Sequence, residues 1–200
     1  MKQKVVTLVW ILFFITNLSQ AMNQKTDTIT LGAGCFWCIE AVFQHVKGVE
    51  NAVSGYSNGK IPNPTYAEIC TGLTGHAEVI QLTYDPSVVS LTNILEVFFG
   101  THDPTTLNRQ GADRGTQYRS AIFYHTIEQK EIAEKVIKTL NEQEVFNNPI
   151  VTEVTPVDVF YVAGNAHQDY YFENGDSPYC RIVIEPKLEK LKKVFSDKLK

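Results

Sequence analysis

The apolar period of the chain changes within residues 27–48, DTITLGAGCFWCIEAVFQHVKG, and no other feature limits the fold as much. Around Ile29 and Leu31, polar and apolar side chains alternate as on a half-buried strand, and the run closes on Gly32-Ala33-Gly34. From Cys35 the spacing is helical: Phe36, Ile39, Phe43 and Val46 share one face, and Gly48 ends the run. A helix that follows its strand this closely has to lay its apolar face on that strand's sheet. Cys35 and Cys38 stand at the junction, with Phe36 and Trp37 between them. A cysteine placed there is open to four readings: core residue, half of a disulfide, metal ligand or nucleophile.

Further strands are expected at residues 49–56, 77–84, 118–124 and 150–157, and helices at 91–102 and 127–145. A helical turn near 165–172, a strand-like piece at 180–184 and a basic tail helix at 186–199 complete the chain. Strand-helix-strand occurring twice predicts an α/β (α+β) fold, a two-layer split-βαβ, ferredoxin-like sandwich with a mixed sheet and extra C-terminal segments. Residues 101–117, THDPTTLNRQGADRGTQ, hold one large aliphatic side chain. A loop of that length in a compact domain is expected to be functional or disordered.

Residues 1–21 read as a separate element. Lys2 and Lys4 precede an apolar run at 5–15 and a stretch ending Ser19-Gln20-Ala21, the pattern of a cleavable secretory signal peptide. The run is shorter than an ordinary membrane span. Residues 22–200 are then one exported domain, expected in the periplasm, monomeric and not membrane-bound in its mature form. Loss of the two lysines takes the formal charge from −4 to −6, an acidic balance that argues against nucleic acid or an anionic membrane as partner. In an oxidising compartment a catalytic thiol needs a dedicated donor to stay reduced. The four cysteines, Cys35, Cys38, Cys70 and Cys180, have two structural disulfides as their alternative reading.

Cys35 falls at the first turn of its helix, where unpaired N–H groups favour an anion. That effect is worth about 0.3–1 kcal/mol, less than one pKa unit, so a thiol starting near about 8.5 stays mostly protonated at neutral pH. Activation must come from a distant group or be applied to the substrate. In the strand AEVIQLTY, Glu78 alternates onto the face of Ile80, Leu82 and Tyr84. A carboxyl on that apolar side would keep its proton and serve as an acid, whereas a strand-end glutamate could equally reach solvent beside His76. Phe36 and Trp37 are either core aromatics or the wall of a small apolar pocket. The five histidines are scattered and no second Cys-x-x-Cys exists, so no metal site is expected, and no phosphate-binding glycine loop points to a nucleotide cofactor. Cys70 reads as a small buried residue.

GCFWC at 34–38, NPTY at 63–66, GHAEV at 75–79, DPTTLNRQGAD at 103–113, GTQYRSAIF at 115–123 and YCRIVIEPK at 179–187 together resemble the peptide methionine sulfoxide reductase A family, over essentially all of residues 28–200. The resemblance implies a thiol reductase without metal or organic cofactor that returns the S-epimer of methionine sulfoxide, free or in peptides and oxidised proteins, to methionine. It implies Cys35 as nucleophile, Phe36 and Trp37 as the wall holding the sulfoxide methyl group, and Glu78 as the acid that protonates the oxygen. Tyr66 and Tyr118 would hydrogen-bond that oxygen, with Asp113 in the same polar pocket. Cys35 would pass through a sulfenic acid, a second thiol would condense with it, and a thioredoxin-like donor would reduce the disulfide. Cys180 is the favoured resolving thiol because a flexible NGDSPY stretch precedes it, with Cys38, or no internal resolver, as the alternatives. Two other functions compete: a general thiol-disulfide oxidoreductase built on CFWC, and an exported binding module with all four cysteines in disulfides.

Overall fold

The structure, a computed structural model, describes residues 26–200; the signal-peptide reading of residues 1–21 lies outside them. Strand β1 (Asp27–Ala33) leads through Gly34 and Cys35 into α1 (Phe36–Gln44) and on to β2 (Val49–Ser57). A short helix, α2 (Tyr66–Cys70), precedes β3 (Ala77–Tyr84) and α3 (Leu91–Thr101). The 101–117 segment contains a two-residue hairpin, β4 (Arg109–Gln110) with β5 (Asp113–Arg114), and runs into a 3-10 turn, Thr116–Tyr118. Then follow β6 (Ser120–Tyr124), α4 (Ile127–Glu142), β7 (Glu153–Pro156) and β8 (Tyr161–Val162).

The six-stranded sheet has the order β7-β6-β1-β3-β2-β8. Strand β3 lies antiparallel between β1 and β2, and β1 lies antiparallel between β3 and β6, so each of the two strand-helix-strand units is split by a strand of the other. Only β6 and β7 pair in parallel, joined by α4, which makes the sheet mixed as expected. The alternation of β3 sorts its two faces: Ile80, Leu82 and Tyr84 enter the main core under α1 and α3, while Ala77 and Val79 join Ala121 and Phe123 in a smaller cluster on the other face.

The C-terminal region departs from the sequence reading. Residues Cys180–Ile184 form a π-helical turn and not a strand, and the turn continues into α6 (Glu185–Val194). Cys180 and Ile184, four apart, are buried while Ile182 is 74% exposed. That is a helical pattern, which the apolar run concealed. Cys70 is exposed, because α2 buries only Ile69. The expected strand at 118–124 begins at Ser120, and the one at 150–157 is reduced to β7.

Buried polar contacts set the backbone beneath Cys35. His102 Nδ1 donates to the Phe98 carbonyl at 2.6 Å and Nε2 accepts from Ser120 Oγ at 2.8 Å, while Ser120 also meets Thr152 Oγ1 at 2.7 Å. Burial pushes His102 down to about 4, so this network is uncharged at neutral pH. Ser120 pairs with Ala33, two residues before the first cysteine. Gly34 turns the chain there at φ 87°, and a Cβ on it would stand 2.6 Å from the Gln110 side chain of the β4-β5 hairpin. We expect Gly34→Ala to cost about 1–3 kcal/mol of stability through backbone strain and displacement of that hairpin, read as a lower urea midpoint at unchanged slope.

Candidate active site

Cys35 is the N-cap of α1, with φ −56° and ψ 125°, and its side chain caps no amide of the helix. The first amide of α1, Phe36 N–H, instead donates to Glu78 Oε2 at 3.1 Å. Glu78 is 1% exposed and lies on the face of β3 that α1 covers, so a carboxyl is buried against the helix start beside the thiol. Burial raises it to about 8, helped by the negative charges of Asp113 and Cys38 and opposed by the Phe36 bond. At neutral pH Glu78 therefore holds a proton, as an acid must.

Cys35 and Cys38 are both buried and both free thiols, one helical turn apart. They hydrogen-bond each other, and this contact is the largest influence on each: it pulls Cys38 down to about 6 and holds Cys35 well above the usual thiol range. Burial resists ionisation of both, while the charge of Lys187 on α6 favours the Cys38 anion. The Tyr179 hydroxyl lies 3.7 Å from Cys38 Sγ. One proton thus leaves the pair near neutral pH and the other is shared across the sulfur–sulfur contact, so the monothiolate belongs to the pair and not to one residue.

Aromatic rings surround this cluster. Phe36 is fully buried, with Tyr66 stacked at 6.4 Å and 12°, Tyr56 at 5.7 Å and His167 at 5.5 Å. Trp37 is sandwiched more closely: Tyr170 lies flat on it at 3.6 Å and 6°, and Tyr179 meets it edge-on at 5.5 Å. Tyr66 opens α2, whose capping box between Thr65 and Glu68 fixes where the helix starts. Tyr118 closes the 3-10 turn, which Arg119 ties down by donating to the Thr116 and Gly75 carbonyls and pairing with Glu153 at 2.7 Å. Burial and the Glu78 charge push the hydroxyls of Tyr66 and Tyr118 up, so both remain donors. Asp113 on β5 is half-buried, raised by burial, and close enough to add its charge to Glu78, Cys38 and Tyr118.

Of the residues singled out in the sequence, Cys35, Cys38, Phe36, Trp37, Glu78, Tyr66, Tyr118 and Asp113 converge on the start of α1. Cys180 lies instead in the π-helical turn, fully buried, with its amide bonded to Ser177 Oγ. Sequence reasoning missed Tyr56, directly opposite Glu78 in the β2-β3 register, whose buried hydroxyl has no partner. It also missed Tyr179, Tyr170 and His167 as site residues, which arrive by long-range packing; the HQDYY run at 167–171 and the first residue of YCRIVIEPK were their traces. Among the described residues no group of three or more metal-ligating side chains comes together.

A family model described as "Peptide methionine sulfoxide reductase" matches residues 27–199. The chain belongs to the peptide methionine sulfoxide reductase family. It is 53% identical over 174 residues to "Peptide methionine sulfoxide reductase MsrA" of Saccharolobus solfataricus, covering 87% of this chain and 97% of that one. The relative of the same name from Trichodesmium erythraeum is 54% identical over 173 residues, 86% of this chain and 98% of the other. Among solved structures, reduced Mxr1 from Saccharomyces cerevisiae superposes with a TM-score of 0.73 at 36% identity, covering 78% of this chain and 90% of that one. Mxr1 in complex with Trx2 gives a TM-score of 0.53 at 27% identity, covering 73% and 85%.

For this reductase the thiol contact has a direct readout. We expect ultraviolet thiolate absorbance to show one thiolate per chain forming with a midpoint near 6, the position of Cys38. Cys35→Ala, which removes the bond, should return that midpoint to about 8.5 or above.

Proposed function

We propose that this chain reduces the S-epimer of methionine sulfoxide, free or in oxidised proteins and peptides, to methionine, with Cys35 as nucleophile and a thioredoxin-like donor as final reductant. The observation that carries the reading is the protonated Glu78 carboxyl, held by Phe36 N–H at the same helix end as a thiol pair that has already lost one proton. A sulfoxide sulfur is a poor electrophile until its oxygen is protonated. Glu78 supplies that proton, and the Tyr66 and Tyr118 hydroxyls stabilise the oxygen as its charge changes. Cys35 gives its proton to Cys38 through their contact and attacks the sulfur while the methyl group rests against Phe36 and Trp37. The oxygen ends on Cys35 as a sulfenic acid, and methionine leaves.

The geometry favours Cys38 over Cys180 as the thiol that condenses with the sulfenic acid and releases water. Cys38 already hydrogen-bonds Cys35, whereas Cys180 is fully buried in the π-helical turn. Cys-x-x-Cys pairs at helix starts form disulfides readily. The complex of Mxr1 with Trx2 supports a thioredoxin-like donor, and the family's thiol chemistry requires no metal of this chain. Export remains part of the proposal on the strength of residues 1–21, and fractionation of an expressing bacterium tests it.

Single turnover without reductant tests the scheme. One methionine per chain from the S-epimer, with a Cys35–Cys38 link mapped by peptide mass spectrometry, is expected for the unaltered protein and for Cys180→Ala. Cys38→Ala should still release one methionine but lose donor-driven multiple turnover. Product from Cys35→Ser would overturn the assignment. The kcat/KM profile should rise through about 6 as the pair loses its proton and fall through about 8 as Glu78 loses its own. Glu78→Gln should remove the alkaline limb and lower the rate by about 10²–10⁴.

A further inference from the structure

The open side of Trp37 is closed by residues more than a hundred positions away. Tyr170 covers its face, and His167 stands 4.3 Å from Tyr66 and 5.7 Å from Trp37. Neither ring is held by its own element: Tyr170 begins the five-residue helix α5 (Tyr170–Asn174) and His167 ends a single 3-10 turn, Asn165–His167. The segment also contains Asp169 in the left-handed region at φ 51°, a strained conformation that needs outside support.

The support comes from α1 itself. Glu40, one turn beyond Trp37 and so on the same side of the helix, is 1% exposed. Its Oε2 accepts from Tyr170 N at 3.1 Å, its Oε1 accepts from Ser54 Oγ at 3.0 Å, and the Asp169 amide adds a further bond. The Gln168 side chain reinforces the hold, accepting from Ser54 N and donating to the Ser54 and Ala163 carbonyls, each at 2.9 Å. A buried carboxyl held by donors alone is demanding of geometry, because a lost donor leaves it unsatisfied in a site closed to water. Glu40 has no place in the chemistry at Cys35.

We propose that Glu40 is a positioning residue for the sulfoxide pocket: by gripping the Tyr170 end of the 163–170 segment it clamps that segment's two rings against Trp37 and Phe36, and the placement of that aromatic wall sets which S-alkyl group is accepted. This rests on the sulfoxide-reductase reading above. A methylene too many, or a wall set too far back, changes the fit of an apolar group.

The test compares methionine sulfoxide with its S-ethyl analogue, ethionine sulfoxide, using the unaltered protein, Glu40→Gln and Tyr170→Leu. In both variants KM for the methyl substrate is expected to rise roughly tenfold with kcat within about twofold, and the ethyl-to-methyl ratio of kcat/KM to rise roughly tenfold. The pH profile should not move, since Glu78 and the thiols are untouched. Trp37 emission, read in a Trp10→Phe background, should shift to longer wavelength as its covering ring is lost. A loss of thermal stability with KM and the substrate ratio unchanged would reduce Glu40 to a structural residue and overturn the inference. If Glu40→Gln does not fold, Tyr170→Leu decides alone, because it removes the ring without touching the buried carboxyl. Failure of the unaltered protein to turn over either substrate would overturn the reductase reading and the inference with it; normal methyl turnover with indifferent variants would overturn the inference only.

Discussion

The hydrogen bond from Phe36 N–H to Glu78 joins the two layers of the molecule at the point where the chemistry is done. A helix start has amides without intrahelical partners, and a buried carboxyl has to find donors. Each need is met by the other, which fixes α1 on β3 and sets the acid beside Cys35 in one step. The same contact limits what the helix can do for the thiol. Its first free amide is already engaged, so the ionisation of the sulfur pair depends on the Cys35–Cys38 hydrogen bond, Lys187 and Tyr179 more than on the helix end.

Division of labour follows from this arrangement. Glu78 is kept protonated by burial, Tyr66 and Tyr118 are kept as donors chiefly by burial, and the sulfur pair is kept singly ionised by its internal bond. The groups come from separate places on the framework: a helix start, a strand, a capped short helix, a 3-10 turn and a two-residue hairpin. What brings them together is the split topology, which sets β3 between β1 and β2 and the Glu78 side chain under α1.

Much of this was legible in the sequence because it rests on local periodicity. The change from period two to helical spacing placed Cys35 at the start of α1, and the alternation of AEVIQLTY turned Glu78 inward. The 101–117 loop was marked as functional or disordered by its lack of aliphatic residues, although its hairpin was not foreseen. The failures have two physical causes: contacts between residues far apart in the chain, and short segments whose pattern fits more than one structure. Cys180–Ile184 was read as a strand because a short apolar run fits a buried strand and a buried helical turn alike. The contact of Tyr179 with Cys38 spans 141 positions, and no pattern within CFWC announces it. Cys70 was expected inside because cysteines often are, yet α2 is too short to bury more than one residue.

The cover of the thiol pair comes from the end of the chain, for Tyr170, Tyr179 and Lys187 all lie beyond β8, the last strand of the sheet. A ribosome therefore delivers Cys35 and Cys38 early and their cover late. Between those two moments the sulfurs exist without the neighbours that tune them, and oxidants meet ordinary cysteines. Catalytic competence is in this sense a property of the finished polypeptide, reached only when its final helices are in place.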